Sequence, residues 1–237
     1  MSELLKQLIS DGTLALGVWE TVYMTALSTA IAYVFGLPLG ILLCVTDKNG
    51  LKPIAWLNKI LGFTVNVFRS IPFIILMVAM LPVAKLVVGT SIGNKAMIVM
   101  LVIAAAPYIA RMVESSLKEI DAGVVEAAKS MGASDFQIIT RVFLPEAKPS
   151  LIIGAVISTV TVLGYSAMAA TIGGKGLGQI AVVYGYQRFK QDIIWISVLL
   201  IVIIVQIIQE IGMFAARKTD RRIRSEKISK NRSKKEI

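Results

Sequence analysis

Few residues in this 237-residue chain could carry out chemistry, and their types narrow the choices. There is no histidine, which removes imidazole acid–base catalysis, serine–histidine triads and most zinc sites. The single Cys44 can form neither an internal disulfide nor a cysteine-rich metal site, and in its apolar run it reads as a small packing residue. The run Gly173-Gly-Lys-Gly-Leu-Gly178 resembles a phosphate loop only in its glycine content. Such a loop needs Gly-x4-Gly-Lys-Ser/Thr after a strand, so that backbone N–H groups face the phosphates. Here Lys175 is followed by Gly176 and no strand precedes. The stretch 89–95 fails as well, with Asn94 where the second glycine belongs. No convergent set of nucleophile, base and metal ligands is left, so a membrane or soluble enzyme is disfavoured.

The elements that would position any working residue are apolar and long. Hydrophobic residues make up 56% of the chain and charged residues 17%, against about a quarter in soluble domains. A spanning helix needs roughly 20 mostly apolar residues. Five stretches qualify: Val18 to Val45, Ile60 to Val88, Ala96 to Val113, Leu151 to Ala170, and Ile193 to Ala216. Pro72 and Pro82 interrupt the second, and Pro107 lies in the third, which is barely long enough. Gly36 and Gly40, with Ala104, Ala105 and Ala106, permit close helix approach. The fold expected is all-α: a polytopic transmembrane bundle of about five helices over 1–216, followed by a basic tail over 217–237.

Net charge is +10, but its placement argues against nucleic acid. Ten of the 25 Lys and Arg fall in 217–237, directly after an apolar segment. The stretches 46–59, 111–148 and 217–237 together hold 18 of them. By the positive-inside rule that side is cytoplasmic, with the N-terminus outside and the C-terminus inside. Met1 to Gly12 lacks the pattern of a cleaved signal peptide.

The one long polar insert, 114–150, has readable local chemistry. Asp121 can cap a first short helix and Gly132 can end it in a left-handed conformation. Ser134 with Gln137 forms a capping box for a second, which Pro145 stops. Phe136, Ile139 and Phe143 offer that second helix an apolar ridge for a partner groove. Glu126-Ala127-Ala128, then Gly132 after three residues, then Val142-x-Leu144-Pro145, resembles the EAA loop of ABC importer permeases. Only Val142, for the family's Ile, departs from the fixed positions. The resemblance implies a coupling segment that docks on a separate ATPase through Glu126, Ala127, Ala128, Gly132, Ala133, Ser134, Phe136, Leu144 and Pro145. An ordinary amphipathic loop resting on the bundle is the plainer alternative.

Two residues inside the spans could act on a solute. Arg69 is a charge within the second apolar stretch, close to Pro72, and such charges are costly enough to suggest function. It either lines or gates a path near the Pro72 kink, or sits at a break and snorkels to water. Met168, between Ala167 and Ala169, either closes a narrow passage with its flexible thioether or fills core space.

A narrower resemblance covers nearly the whole chain. Arg69-Ser-Ile-Pro-Phe-Ile-Ile-Leu, Ala110-Arg-Met-Val-Glu-Ser-Ser-Leu-Lys-Glu-Ile-Asp121 and Gly164-Tyr-Ser-Ala-Met-Ala169 are similar to methionine importer permeases. So are the Gly173–Gly178 run and Tyr184-Gly-Tyr-Gln-Arg-Phe189. That resemblance implies a homodimer with a five-helix core in a bacterial cytoplasmic membrane. Two ATPase subunits would hold the ATP and Mg, leaving this chain non-catalytic and without a cofactor, and an external binding protein would deliver methionine. Met168, Arg69, Pro72, Tyr165 and Ser166 would then belong to the translocation path, Met168 meeting its copy at the dimer axis. The Gly173–Gly178 turn would meet the binding protein or serve as a plain connector. Another amino acid or small solute remains open. An ion-coupled secondary transporter fits less well, because the span interiors lack His and midplane acids, with Glu20 and Glu210 near span ends.

Overall fold

The computed structural model of the chain describes residues 3–219, and every regular element among them is helical. Helix α1 (Glu3–Ser10) buries Leu5 and Leu8, and Gly12, at φ +71°, turns the chain into α2 (Thr13–Thr46). Then come α3 (Ala55–Ser70), α4 (Phe73–Ala79), α5 (Leu81–Val88) and α6 (Asn94–Lys118). A polar segment holds α7 (Ala122–Ser130), α8 (Asp135–Ile138) with wide π-type turns over Ile139–Phe143, and α9 (Leu144–Glu146). Helix α10 (Lys148–Ala169) ends in a tight turn to Ile172, α11 (Leu177–Gln179) runs on in π-type turns to Tyr186, and α12 (Gln191–Thr219) closes the fold. Most of the basic tail expected over 217–237 lies outside the described residues.

Four helices, α2, α6, α10 and α12, are long and apolar enough to cross a membrane. The pair α3 and α4 would serve as a fifth span, bent by 104°. The second stretch is thus broken at Pro72, as its interrupting prolines suggest. Steric conflict with Pro72 drives Ile71 out of the helical region, to φ −81° and ψ 125°. The third stretch grows instead, from the 18 positions of 96–113 to the 25 residues of α6. Its apolar run ends at Val113, but the helix continues because the charges in its last turns pair with one another.

Helix α6 is the centre of the bundle, packed by α2 along its length and by α3, α4, α5 and α10. Close approach to α2 depends on two glycines. A Cβ on Gly36 would lie 2.7 Å from Ile109 Cγ2, and one on Gly40 would lie 2.5 Å from the Ala110 carbonyl. Helix α12 packs on α10 and turns Trp195, Leu199, Val202, Ile203, Ile207, Ile211 and Phe214 outward. Water would not tolerate so continuous an apolar face, whereas hydrocarbon does.

Gly40→Val forces α2 off α6, an overpacking cost of about 1–3 kcal/mol. The thermal midpoint of the detergent-purified chain should fall by several degrees, while Leu199→Val on the outward face of α12 leaves it unchanged.

Candidate functional site

The polar segment folds into a knob at one end of the bundle, and local chemistry shapes it. The Asp121 carboxylate accepts from the Gly123 N–H at 2.7 Å and starts α7. Gly132 ends that helix at φ +79° with open space where a Cβ would be, so backbone conformation rather than crowding calls for glycine. The Ser134 hydroxyl accepts from the Gln137 N–H at 3.4 Å, and the Gln137 side chain accepts from the Ser134 N–H at 2.9 Å. The expected capping box is present.

Tertiary packing corrects two expectations. Pro145 does not stop the second helix; helical geometry runs on to Glu146, with Pro145 in the first turn of α9. The wide turns over 139–143 precede the proline, which lacks an N–H of its own to donate. Nor is there an exposed Phe136–Ile139–Phe143 ridge. Phe143 is buried and Ile139 half-buried, both within the apolar cluster that joins Ala128 and Ile138 of the knob to Leu117 of the bundle. What faces outward is Phe136, 74% exposed, with Met131 at 81% and Glu126, Ala127, Gly132, Ser134 and Pro145 around them. Ala128 is buried, and Ala133 and Leu144 are half-buried. Glu126 opens on a cavity of about 530 Å³ shared with Asp47, Lys48, Lys118 and Lys129.

An ion-pair network roots this knob, and reading the sequence did not find it. Glu114, 5% exposed, accepts from Arg111 Nη1 at 2.6 Å and from Lys118 Nζ at 2.8 Å. Lys118 also reaches Asp47 at the end of α2, at 2.8 Å. Arg111 Nη2 donates across to α3, to Asn66 Oδ1 at 2.9 Å and the Gly62 carbonyl at 3.2 Å. The spacing of Arg111, Glu114 and Lys118, three and then four residues apart, was the available clue. The bond from Lys118, and after it the Asn49 N–H, holds the Asp47 carboxyl below the usual carboxylate range.

Around the break, the structure brings some path candidates together. Arg69 and Tyr165 line one cavity of about 130 Å³ with Phe68, Ile71, Phe73, Ala104 and Tyr108. The Tyr165 ring stacks on Phe73 at 4.3 Å, and Pro72 stands at the N-terminus of α4. Ser166 points elsewhere, buried and donating to the Leu163 carbonyl at 2.7 Å. Met168 is 48% exposed, on an outward stripe of α10 with Ile157 and Gly164.

At the far end, the glycine run is clamped. Asn94 donates to Glu20 at 3.2 Å and accepts the Lys175 N–H at 3.1 Å. Thr21 accepts the Leu177 N–H at 2.9 Å and donates to the Gly17 carbonyl at 2.8 Å. A Cβ on Gly176 would lie 2.7 Å from that hydroxyl. Lys175, Tyr186 and Phe189 remain outward, and Arg188 sits 5.0 Å over the Tyr184 ring. Among the described residues no cluster of His, Cys, Asp or Glu could hold a metal ion.

This geometry has known counterparts. The family described as "Binding-protein-dependent transport system inner membrane component" matches residues 36–225. A "Probable D-methionine transport system permease protein MetI" of Vibrio cholerae is 47% identical over 214 residues, 90% of this chain and 95% of that protein. The "D-methionine transport system permease protein MetI" of Escherichia coli K12 is 51% identical over 152 residues, 64% of this chain and 70% of its own. Among solved structures, a chain of the MetNI methionine ABC transporter in inward-facing conformations superposes with a TM-score of 0.88 at 45% identity, covering 93% of this chain and all of its own. A chain of an amino acid ABC transporter with histidines shares the fold alone, with a TM-score of 0.75 at 17% identity, covering 92% of this chain and 99% of its own.

Ser134→Ala removes the cap of α8 and should cost about 1 kcal/mol, read as a lower thermal midpoint. The Asp47 stabilisation is present above the ordinary carboxylate value, about 3.9, and is lost as the pH falls through the lowered one. With Lys118 44% exposed, screening keeps the pair under about 1 kcal/mol. Asp47→Asn should therefore lower the midpoint slightly at pH 7, the gap closing as the pH drops below the carboxylate range.

Proposed function

Because the chain belongs to the family of inner-membrane components of binding-protein-dependent transport systems, we propose that it is the permease subunit of an ATP-driven methionine importer. The observation that carries this reading is the knob: a capped, rigid projection in the EAA pattern that turns Phe136 and Glu126 away from the bundle. An exposed phenylalanine on a rigid turn is a typical interface anchor, since it loses little entropy when a partner covers it. Two ATPase subunits hold the ATP and Mg and dock there, and this chain is non-catalytic. The relatives named for methionine transport, and the extent of their match, support the substrate.

Two copies of the chain form the pathway. The outward stripe of α10 bearing Gly164 and Met168 supports a paired arrangement, with a small residue at the contact and a flexible thioether at the axis. Arg69, Tyr165 and the Pro72 break line the path beside it. The knob end faces the cytoplasm, in keeping with the positive-inside count, and the clamped glycine end faces an external binding protein through Lys175 and the aromatic residues near it. Closure of the ATPases moves the two knobs and shifts the bundle between two states of access.

Uptake of labelled methionine into vesicles carrying the chain and its ATPase should require ATP and be competed by unlabelled methionine. Uptake that ignored methionine but followed another amino acid would overturn the substrate assignment. Phe136→Ala should reduce co-purification of the ATPase at least tenfold, a loss of about 1.4 kcal/mol or more.

A further inference from the structure

Arg111 makes more contacts than burial of Glu114 demands. Lys118 already pairs that carboxylate at 2.8 Å. A second cation brings a further desolvation cost, and Arg111 Nε is itself buried without a partner. The excess is spent on reaching α3: one guanidinium nitrogen crosses to both Asn66 and the Gly62 carbonyl.

Asn66 is bonded on its other side too. Its backbone carbonyl accepts from the Ser70 hydroxyl at 2.8 Å, and Ser70 is the last residue of α3 before the 104° bend. In the opposite direction the network passes through Glu114 to Lys118, the final residue of α6, three positions before the Asp121 cap of the knob. Polar bonds therefore run from Lys118, near the root of the knob, to the Asn66 side chain, and the α3 backbone carries on from there to Ser70 at the break. Side-chain packing already favours certain registers between helices, and a guanidinium bonded at fixed points on both adds a directional restraint.

We propose that Arg111 and Asn66 form a positioning link that obliges the α3–α4 break to move with the knob, and so sets how much solute each ATP turnover carries. Neither residue touches the solute or the nucleotide. The inference rests on the transport reading above for its solute, but the link itself can be tested without one.

The full complex with its ATPase, in vesicles, gives two measurements. The first is methionine uptake per ATP hydrolysed. Asn66→Leu and Arg111→Lys should lower this ratio at least fivefold with hydrolysis within twofold of the unsubstituted complex, while Asn66→Asp, which keeps the acceptor, holds it within twofold. The second is the rate of thiol labelling at Ile71→Cys, in a Cys44→Ala background, without nucleotide and after vanadate trapping. Trapping should change the rate at least threefold, and Asn66→Leu should abolish the change. An unaltered ratio in both Asn66→Leu and Arg111→Lys, or labelling that still responds in Asn66→Leu, would overturn the link. A labelling response without any methionine uptake would instead sink the substrate assignment and leave the link standing. Should Asn66→Leu fail to assemble, Arg111→Lys decides both measurements.

Discussion

Glu114 is a carboxylate taken almost wholly out of water, and one end of the molecule is arranged around it. An isolated charge in that position would cost several kcal/mol, so it persists only because Arg111 and Lys118 bond both of its oxygens. Those two cations bring further obligations. Lys118 draws in Asp47 from the end of α2, and Arg111 draws in Gly62 and Asn66 from α3. Three helices that an apolar contact alone would hold loosely are thereby registered against one another, and the knob grows from the point where they meet.

The knob shows how little packing a projecting element needs when its ends are capped. Asp121, Gly132 and the Ser134–Gln137 box set the turns locally. Ala128, Ile138 and Phe143 attach it to the bundle. That division leaves Phe136, Met131 and Glu126 outward without loosening the structure that presents them. The opposite end uses a different device. There the glycine run lies so close to α2 and α10 that side chains are excluded, and Asn94 and Thr21 satisfy the backbone amides that the tight turn leaves exposed.

Between the two ends, the α3–α4 break is, among the described residues, the one place where a candidate span loses helical continuity. Unpaired backbone is tolerated at membrane depth only where protein or water surrounds it. Arg69, Tyr165 and Phe73 gather at this break.

Much of this was legible in the residues themselves. The apolar blocks, the caps of the knob, the proline that breaks the second stretch and the close approach allowed by Gly36 and Gly40 all follow from local rules, because each depends on neighbours a few positions away or on bulk transfer to lipid. The length of α6 was not legible. Charges cluster over its last turns, and only the folded chain shows that Glu114 bonds both Arg111 and Lys118 while Asp47, from the end of α2, balances the second cation. Nor was the burial of Phe143 legible, since its period also suits an exposed ridge and the face that wins is set by how the knob lies on the bundle. Sequence alone determined the helices, their breaks and the family pattern, through short-range sterics and hydrogen bonding. The tertiary structure decided which polar atoms meet across helices, because Asn66 and Arg111, or Thr21 and Leu177, become partners only when distant segments are brought together.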